Sequence, residues 1–365
     1  MQLIIFIISV LYFLELAVFF MGMVRNMKRG SVIHDNLPLV SVIVSAKNEE
    51  AVIARCMESL VKLDYPEDKL EILMVNDGSV DRTKDIILGY CEKYPALKYL
   101  ETDTSPSTLR GKARALAQAI KSAKGEFIFT TDADCVVKPS WVKEMLGYYD
   151  ERTGVVSSYS IIKPKNVNWA VQSLDWMYLL GIACGSDGIN DPLSCVGNNM
   201  SYRKKAYEEI GGYEKVKYSV TEDFMLLKTI RTKTKWKTKF ALNSDTVNYT
   251  LPCTSFMEIY RQKKRWGKGG LNIVFLGFLV GLFGWSISIA LLSGWLFVPA
   301  CIYIALLVFK FLIDLLFILP AIIKFREYRA ILYLPLFEIY FSIYAVALPF
   351  ILLFDRDVIW KEQKV

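Results

Sequence analysis

Histidine is almost absent from this sequence, and its cysteines are few and scattered. The 365 residues include one histidine, His34, so a Ser-His-Asp hydrolase would have to use it as the base and a histidine-rich metal site cannot form. The seven cysteines contain no Cys-x-x-Cys pair, which argues against a zinc ribbon or disulfide framework and fits a reducing compartment. Any metal ion in this protein should therefore be bound by oxygen ligands.

Charge is also scarce at both ends of the chain. Residues 1–24 contain one acid, Glu15, and no base, and residues 271–365 contain seven bases and six acids. The net charge of +7 consequently arises in residues 25–270, which carry 37 bases and 30 acids. This distribution predicts a water-facing basic domain between apolar ends.

The apolar stretches predict membrane-spanning helices. Residues 1–24 match about one bilayer span and lack the basic start and small-residue cleavage site of a signal peptide; a buried core helix is the alternative. Residues 271–323, whose only charges are Lys310 and Asp314, are long enough for two spans, and residues 331–354 predict a last one. We therefore expect one span before the middle domain and about three after it.

Charges around these spans bear on topology. The three bases in residues 25–29 predict an outside N-terminus and a cytoplasmic domain after it. Three later spans would leave the polar tail, 355–365, outside unless one segment is re-entrant or interfacial. Lys310 and Asp314 stand four residues apart on one helix face, so they either pair or belong to an acceptor path.

The middle of the chain alternates strand and helix patterns. This alternation predicts an α/β fold with a mostly parallel sheet and helices on both faces. Ligands bind such sheets beyond the carboxyl ends of the strands, and polar clusters occur there at Lys47–Glu50, Asn76–Ser79 and Asp132–Asp134. The predicted strands are Leu39–Ala46, Leu70–Val75, Leu97–Leu100 and Glu126–Thr131, and the predicted helices are Asp81–Tyr94 and Leu109–Lys124.

Two strand ends carry candidate ligand-binding carboxylates. Asp132 and Asp134 are at positions i and i+2, which in extended chain places both on one side, as a hard cation bridging a diphosphate requires; a solvated turn is the alternative. Asp77 follows another strand and could accept hydrogen bonds from a nucleotide base or ribose. The alternative for Asn76–Thr83 is a turn followed by a helix cap.

Two helix starts and one basic helix complete the candidate site. Thr221-Glu222-Asp223 is either an N-cap with acids favoured by the helix dipole or the source of a general base. Gly111-Lys112 begins a predicted helix and suits a phosphate. Residues 254–270 predict an amphipathic helix on anionic lipid. Its apolar face holds Phe256, Ile259 and Tyr260, and its basic face holds Arg261, Lys263, Lys264, Arg265 and Lys268.

Taken together, these residues resemble a membrane-bound family 2 glycosyltransferase of the GT-A fold. The resemblance covers residues 40–266 and rests on the order of its motifs rather than on any single one. They are Asn48-Glu49-Glu50, Asn76-Asp77-Gly78-Ser79, Gly111-Lys112, Asp132-Ala133-Asp134, Gly197-Asn198-Asn199-Met200, Gly211-Gly212, Thr221-Glu222-Asp223 and Gln262-x-x-Arg265-Trp266.

The resemblance implies an inverting sugar transfer from a nucleotide-diphosphate sugar, with a UDP-sugar as the expected donor and Mg²⁺ or Mn²⁺ as the cofactor. It also implies a role for each matched residue. Glu49 and Asp77 would contact the nucleotide, Lys112 and Asp132 the diphosphate, and Asp132 and Asp134 the metal. Asp223, beside Glu222, would be the catalytic base, and Gln262, Arg265 and Trp266 would hold the diphosphate and the acceptor at the membrane surface.

The expected acceptor is a membrane lipid or lipid-linked molecule at the cytoplasmic face of the cell membrane, and no nucleic acid is expected to bind. A processive synthase of the cellulose, hyaluronan or poly-N-acetylglucosamine type is one alternative, and a non-catalytic translocation component is another. The predicted domains are a transmembrane helix at 1–24, a catalytic domain at 25–253, an interface helix at 254–270, transmembrane helices at 271–354 and a polar tail at 355–365.

Overall fold

The computed structural model describes two compact units. It covers residues 1–32, 36–105, 109–270, 275–355, 359–360 and 363–364, so His34 and most of the predicted polar tail lie outside the described residues. One of the two units, here called the α/β unit, contains Met27–Ile161 and Cys195–Leu251. The second, the helical unit, contains Met1–Asn26, Ile162–Ser194 and Pro252–Val365. Ile162–Ser194 therefore falls in the helical unit, whereas the sequence placed it in the catalytic domain.

The strands and helices have the following bounds. The strands are β1 Val40–Ala46, β2 Leu70–Asn76, β3 Leu97–Glu101, β4 Phe127–Asp132, β5 Thr153–Ser158, β6 Ser160–Ile162, β7 Met200–Arg203, β8 Lys237–Ala241, β9 Asn248–Thr250, β10 Ile359–Trp360 and β11 Gln363–Lys364. The helices are α1 Gln2–Met27, α2 Ile53–Leu60, α3 Thr83–Lys93, α4 Gly111–Ser122, α5 Trp141–Leu146, α6 Val167–Gly188, α7 Lys204–Glu209, α8 Glu222–Lys233, α9 Phe256–Gly270, α10 Phe275–Ser293, α11 Ala300–Phe325 and α12 Leu334–Phe354.

A seven-stranded sheet organises the α/β unit, in the order β3-β2-β1-β4-β7-β5-β8. Its neighbouring strands are parallel except around β7, which is antiparallel to both β4 and β5. This arrangement confirms the predicted mostly parallel α/β fold. The four strands that the sequence predicted are β1 to β4.

Both faces of the sheet are buried, which explains the near-continuous apolar runs of β1 and β2. Val42 and Met74 pack in one core cluster, and Ile43 and Val75 pack in a second. Successive side chains of a strand point to opposite faces, so a strand that is covered on both sides needs apolar residues at every position.

The strand register aligns the carboxyl ends of the central strands. Ala46 at the end of β1 is opposite Asn76 at the end of β2, and Ser45 is opposite Asp132 at the end of β4. The polar loops that follow these strands consequently start from one edge of the sheet. This alignment positions the candidate site.

The helical unit contains four helices that are long and apolar enough to cross a membrane. They are Gln2–Met27, Phe275–Leu296, Ala300–Phe325 and Tyr328–Phe354. One is N-terminal and three are C-terminal, which confirms the predicted arrangement. Helix α6 also belongs to this unit, and most of its residues are buried, although the sequence did not predict it.

Glycines bring α1 and α6 into close contact. A Cβ atom added to Gly185 would overlap the carbonyl oxygen of Phe19, and one added to Gly22 or Gly188 would also meet the backbone of the opposite helix. Small residues of this kind allow helix backbones to approach closely within a membrane. Any larger side chain would have to push the two helices apart.

Replacing Gly185 with valine should therefore destabilise the helical unit by about 3 kcal/mol or more, as overpacking against backbone does. The expected result is a lower unfolding temperature of the detergent-purified protein, followed by intrinsic fluorescence. Gly281 of α10 provides a matched control, because a Cβ atom added there would have no atom of a neighbouring element within 4 Å. If Gly281→Val and Gly185→Val melted alike, the close contact would not determine stability.

Lys310 and Asp314 form the predicted ion pair within α11. Lys310 also contacts the carboxylate of Glu338 on α12 at 2.6 Å. The hydroxyl of Tyr12 donates to Asp314 at 2.6 Å, so α1 joins the same cluster. Lys310, Asp314 and Glu338 are thus paired with each other, which is how charges are tolerated at membrane depth.

Candidate active site

Asp77 is buried at the end of β2 with one carboxylate oxygen still available. Its Oδ1 accepts a hydrogen bond from Arg114 of α4 at 2.9 Å, and its own backbone N–H donates to the carbonyl of Ala46. Its Oδ2 is buried and has no partner within the part of the chain that the structure describes. A buried carboxylate oxygen without a donor is costly, so this atom suits an N–H or O–H group of a ligand.

Hydrogen bonds join the loop after β1 to the loop after β2. Asn48 donates from its backbone to Ser79 at 3.0 Å and accepts from the backbone of Val80 at 2.9 Å. The backbone N–H of Glu49 donates to the hydroxyl of Thr83 at 2.7 Å. These hydrogen bonds connect the two loops, so Glu49 lies at the same sheet edge as Asp77.

Lys112 links carboxylates from two distant motifs. Its ammonium lies 2.5 Å from Asp132 at the end of β4 and 3.6 Å from Glu222 at the start of α8. Burial lowers the pKa of Lys112, but the two carboxylates outweigh burial and hold that pKa above its usual range. Gly111, with a φ of 50°, begins α4 and provides the left-handed turn that directs Lys112 to this place.

Asp223 is held by two backbone N–H groups. Its Oδ2 accepts from Gly197 at 2.5 Å, and its Oδ1 accepts from Phe224 at 2.8 Å. A Cβ atom at Gly197 would lie 3.1 Å from that Oδ2, so glycine allows the carboxylate to approach. The side chain of Asp223 consequently has a fixed orientation and free lone pairs on both oxygens.

A network of buried polar side chains holds Gly197 in place. Thr130 of β4 donates to the carbonyl of Gly197 at 2.8 Å. Asn248 of β9 donates to the carbonyl of Asn198 at 2.5 Å, and Asn199 donates to the carbonyls of Tyr159 and Thr246. These residues fix the segment that in turn orients Asp223.

Asp134 and Asp132 provide the carboxylates that the sequence assigned to a metal. The hydroxyl of Thr250 donates to Asp134 at 3.3 Å, and the side chain of Asp132 is 37% exposed. Within the described ranges, no group of three or more His, Cys, Asp or Glu side chains is arranged to hold a metal ion. Asp132 and Asp134 are thus two residues with oxygen atoms that could contact a metal ion.

The remaining predicted residues, Gln262, Arg265 and Trp266, belong to α9 of the helical unit. Here the expectation of a continuous basic face on lipid is wrong. Lys263 and Lys264 are 5% and 6% exposed and form ion pairs with Asp175 and Asp355, respectively. A helix-period pattern cannot show this, because it does not reveal acids that approach from other helices.

The structure thus places seven of the predicted site residues in the α/β unit, and Lys112 contacts two of them directly. The seven are Glu49, Asp77, Lys112, Asp132, Asp134, Glu222 and Asp223. It adds residues that the sequence did not single out. Arg114 stands two residues after Lys112, a spacing that could have suggested a second cation on α4. Thr130 and Asn248 carried no local signal, because their roles depend on contacts between strands far apart in the chain.

Comparison with known families identifies two overlapping matches. The family model described as "Glycosyl transferase family 2" matches residues 41–211, and the one described as "Glycosyl transferase family group 2" matches residues 127–354. The second match covers more than half of the chain. It extends from β4 through Asp223 and the Gln262–Trp266 segment to the last helix.

Curated relatives include enzymes with two kinds of product. A β-monoglucosyldiacylglycerol synthase from Nostoc sp. is 30% identical over 250 residues, which are 65% of this chain and 50% of that protein. A poly-β-1,6-N-acetyl-D-glucosamine synthase from Staphylococcus epidermidis is 23% identical over 254 residues, which are 67% of this chain and 58% of that protein. This chain thus spans half to three fifths of the length of these relatives.

Among solved structures, a mannosyltransferase from Pyrobaculum calidifontis, in complex with GDP-mannose and Mn²⁺, shares the fold. It superposes with a TM-score of 0.63 at 17% identity and covers 89% of this chain and 98% of its own. The likeness extends across most of both chains.

Proposed function

We propose that this chain, which belongs to glycosyl transferase family group 2, is a glycosyltransferase whose α/β unit moves a sugar from a nucleotide-diphosphate sugar to a lipid or lipid-linked hydroxyl, with inversion. The observation that carries this proposal is the position of Lys112, whose ammonium lies between the carboxylates of Asp132 and Glu222. Glu222 directly precedes Asp223 in the sequence. A cation and several carboxylates at one sheet edge are what a reaction with a diphosphate leaving group and an acidic acceptor proton requires.

The donor's nucleotide is proposed to bind at the end of β2. The unpartnered Oδ2 of Asp77 would accept a hydrogen bond from the base or the ribose, while Arg114 keeps the carboxylate oriented. Glu49 would contact the same nucleotide from the joined loops. A UDP-sugar is the first donor to test, and a GDP-sugar is the second.

A divalent ion, Mg²⁺ or Mn²⁺, would be held by Asp132 and Asp134. Mg²⁺ is commonly bound by one or two carboxylates together with substrate phosphates, so the two oxygen-ligand residues fit. When bound, such an ion stabilises negative charge on a leaving diphosphate. Lys112 is the chain's own cation for the same diphosphate. Gln262, Arg265 and Trp266 are proposed to contact the acceptor, one of the two roles that their motif implies.

Asp223 is proposed to act as general base. The acceptor oxygen forms a bond to the anomeric carbon, the bond from that carbon to the diphosphate breaks, and the acceptor proton moves to Asp223. Two backbone N–H groups fix the carboxylate, so no reorientation is needed at that moment. A single displacement of this kind inverts the anomeric configuration.

A lipid acceptor is favoured over a growing polymer. The chain is a membrane protein with four helices that are long and apolar enough to span, and residues 271–309 contain few polar side chains. A polymer-secreting enzyme needs a polar channel through the bilayer, and this chain alone provides little material for one. The glycolipid synthase among the relatives supports a lipid acceptor. The polysaccharide synthase among them supports the second candidate function, a processive polysaccharide synthase, which the product analysis below also tests.

We further propose that the chain spans the cell membrane several times with the α/β unit in the cytoplasm, where nucleotide sugars occur. The bases in residues 25–29, directly after the first apolar helix, support this orientation. A non-catalytic translocation component is disfavoured, because such a protein would not need Asp132, Asp134 and Asp223 together.

Product analysis tests the acceptor. Membrane vesicles containing the protein would receive radiolabelled UDP-glucose, UDP-galactose, UDP-N-acetylglucosamine or GDP-mannose, followed by thin-layer chromatography. We expect one donor to yield a chloroform-soluble single-sugar lipid, and only in inside-out vesicles, because the donor cannot cross the bilayer. Labelled polymer that stays at the origin would contradict the lipid acceptor, and equal labelling in right-side-out vesicles would contradict the orientation.

A further inference from the structure

One face of α6 makes three separate interactions, two with α9 and one with Cys253, which lies three residues before α9. Gln172 exchanges two hydrogen bonds with the backbone of Cys253, at 2.9 and 3.0 Å. Asp175 pairs with Lys263, and the ring of Trp176 meets that of Trp266 edge-on at 5.3 Å. Residues 172, 175 and 176 are spaced i, i+3 and i+4, so they share one helix face.

The Asp175–Lys263 pair is buried and has further partners. The side chains of Asp175 and Lys263 are 1% and 6% exposed. The hydroxyl of Tyr344 on α12 donates to Asp175 at 2.9 Å. The Lys263 ammonium also lies 4.6 Å from the ring centroid of Trp266 and 4.5 Å from that of Tyr344, within the range of cation–π attraction.

Such a pair is a poor source of stability and a good source of specificity. Burying two charges costs about as much as their attraction returns, whereas leaving one of them unpaired is strongly unfavourable. The pair therefore penalises every rotation of α9 that separates Lys263 from Asp175. The Asp175–Lys263 pair can therefore fix the orientation of α9.

The orientation of α9 matters because of what else it carries. Lys263 and Trp266 are three residues apart and face α6, while Gln262 and Arg265 form the neighbouring pair, about 100° away around the helix. Rotation of α9 by one residue position, about 100°, would turn Gln262 and Arg265 to the direction that Lys263 and Trp266 now have, and would turn Lys263 and Trp266 away from α6. The contacts of Lys263 thus decide where Gln262 and Arg265 point.

We propose that Asp175 is a positioning residue for sugar transfer, which through Lys263 fixes the orientation of α9 and with it Trp266, Gln262 and Arg265 toward the acceptor. This rests on the proposed function, in which those three residues contact the acceptor. Asp175 itself touches no substrate. Its loss changes how the acceptor is used and leaves the donor steps of the α/β unit unchanged.

The test compares Asp175→Asn with wild type in detergent-purified protein, using the donor and acceptor lipid on which the wild type is active. We expect kcat/KM for the acceptor to fall about 10-fold or more, as small misplacements of binding groups do. KM for the donor and the slow release of nucleotide diphosphate without acceptor should stay unchanged. Asp175→Glu should recover part of the loss, because it keeps the charge.

Two further variants keep the outcome decisive. Tyr344→Phe removes only the hydroxyl that donates to Asp175, and it should raise the acceptor KM in the same direction by a smaller factor; it replaces Asp175→Asn if that variant does not fold. Asp314→Asn is the matched control, since it breaks a different buried pair of the helical unit, whose members contact α1 and α11 rather than α9. An equal loss in Asp314→Asn would reduce the effect to general packing and overturn the proposal.

Trp266→Ala separates this inference from the proposed function. If Trp266→Ala impairs acceptor use and Asp175→Asn, or Tyr344→Phe in its place, does not, the positioning role is wrong and the function stands. If Trp266→Ala has no effect on transfer, the assignment of the Gln262–Trp266 segment fails, and the positioning role fails with it.

Discussion

Asp223→Asn should lower the turnover of sugar transfer by about 10³-fold, because general bases contribute about 10²–10⁴-fold. An asparagine amide cannot accept the acceptor proton, but it keeps the size of the side chain and can still accept one of the two backbone hydrogen bonds. Donor affinity should therefore change little. Turnover and donor binding are measured separately, by nucleotide diphosphate release and by titration calorimetry.

A matched substitution guards against a general effect of charge loss. Asp245, on the same unit, forms an exposed pair with Lys138, so Asp245→Asn should leave turnover within about 2-fold of wild type, as expected of a weak surface pair. If Asp223→Asn also retained wild-type turnover, Asp223 would not be the base. If it lost donor binding as well, its role would be structural.

Asp132→Asn should have the second largest effect, a loss of about 10²-fold in turnover with a higher requirement for metal. The substitution removes one of two carboxylates available for the ion and also the partner that lies 2.5 Å from Lys112. The expected result is a shift of the Mn²⁺ concentration for half-maximal activity to higher values by about 10-fold or more, a loss of about 1.4 kcal/mol of metal affinity.

Metal removal from the wild type provides the companion measurement. EDTA should abolish transfer, and added Mn²⁺ or Mg²⁺ should restore it. Asp134→Asn should shift the metal requirement in the same direction, whereas Asp245→Asn should not. Transfer that persists in EDTA, with an unchanged Mn²⁺ dependence in Asp132→Asn, would mean that Lys112 and other cations suffice without a metal.

The parts of the fold that were predictable from sequence are those with a strong local pattern. Strands β1, β2 and β4 are apolar runs buried on both faces, and their polar ends predicted where the candidate site lies. Strands β5, β7 and β8 are short or rich in serine, glycine and lysine, so their place in the sheet depends on long-range pairing that no local pattern reveals.

The same distinction applies to the site. Asp77 and Asp132 could be predicted, since each follows a strand and the parallel register brings strand ends together. The contact between Asp223 and Gly197 joins residues 26 positions apart, and its geometry exists only once the buried asparagines hold that segment. Lys263 appeared as one base on a lipid-facing surface, because Asp175 lies on a helix that the sequence did not predict.

The anomeric configuration of the first product tests the account most directly. Purified protein in lipid micelles would be supplied with its α-linked nucleotide sugar, and proton NMR would record the coupling of the anomeric proton in the isolated product. A single displacement assisted by Asp223 predicts a β-linked sugar on a lipid hydroxyl. An α-linked product, or no glycoside with any donor, would contradict the proposed reaction.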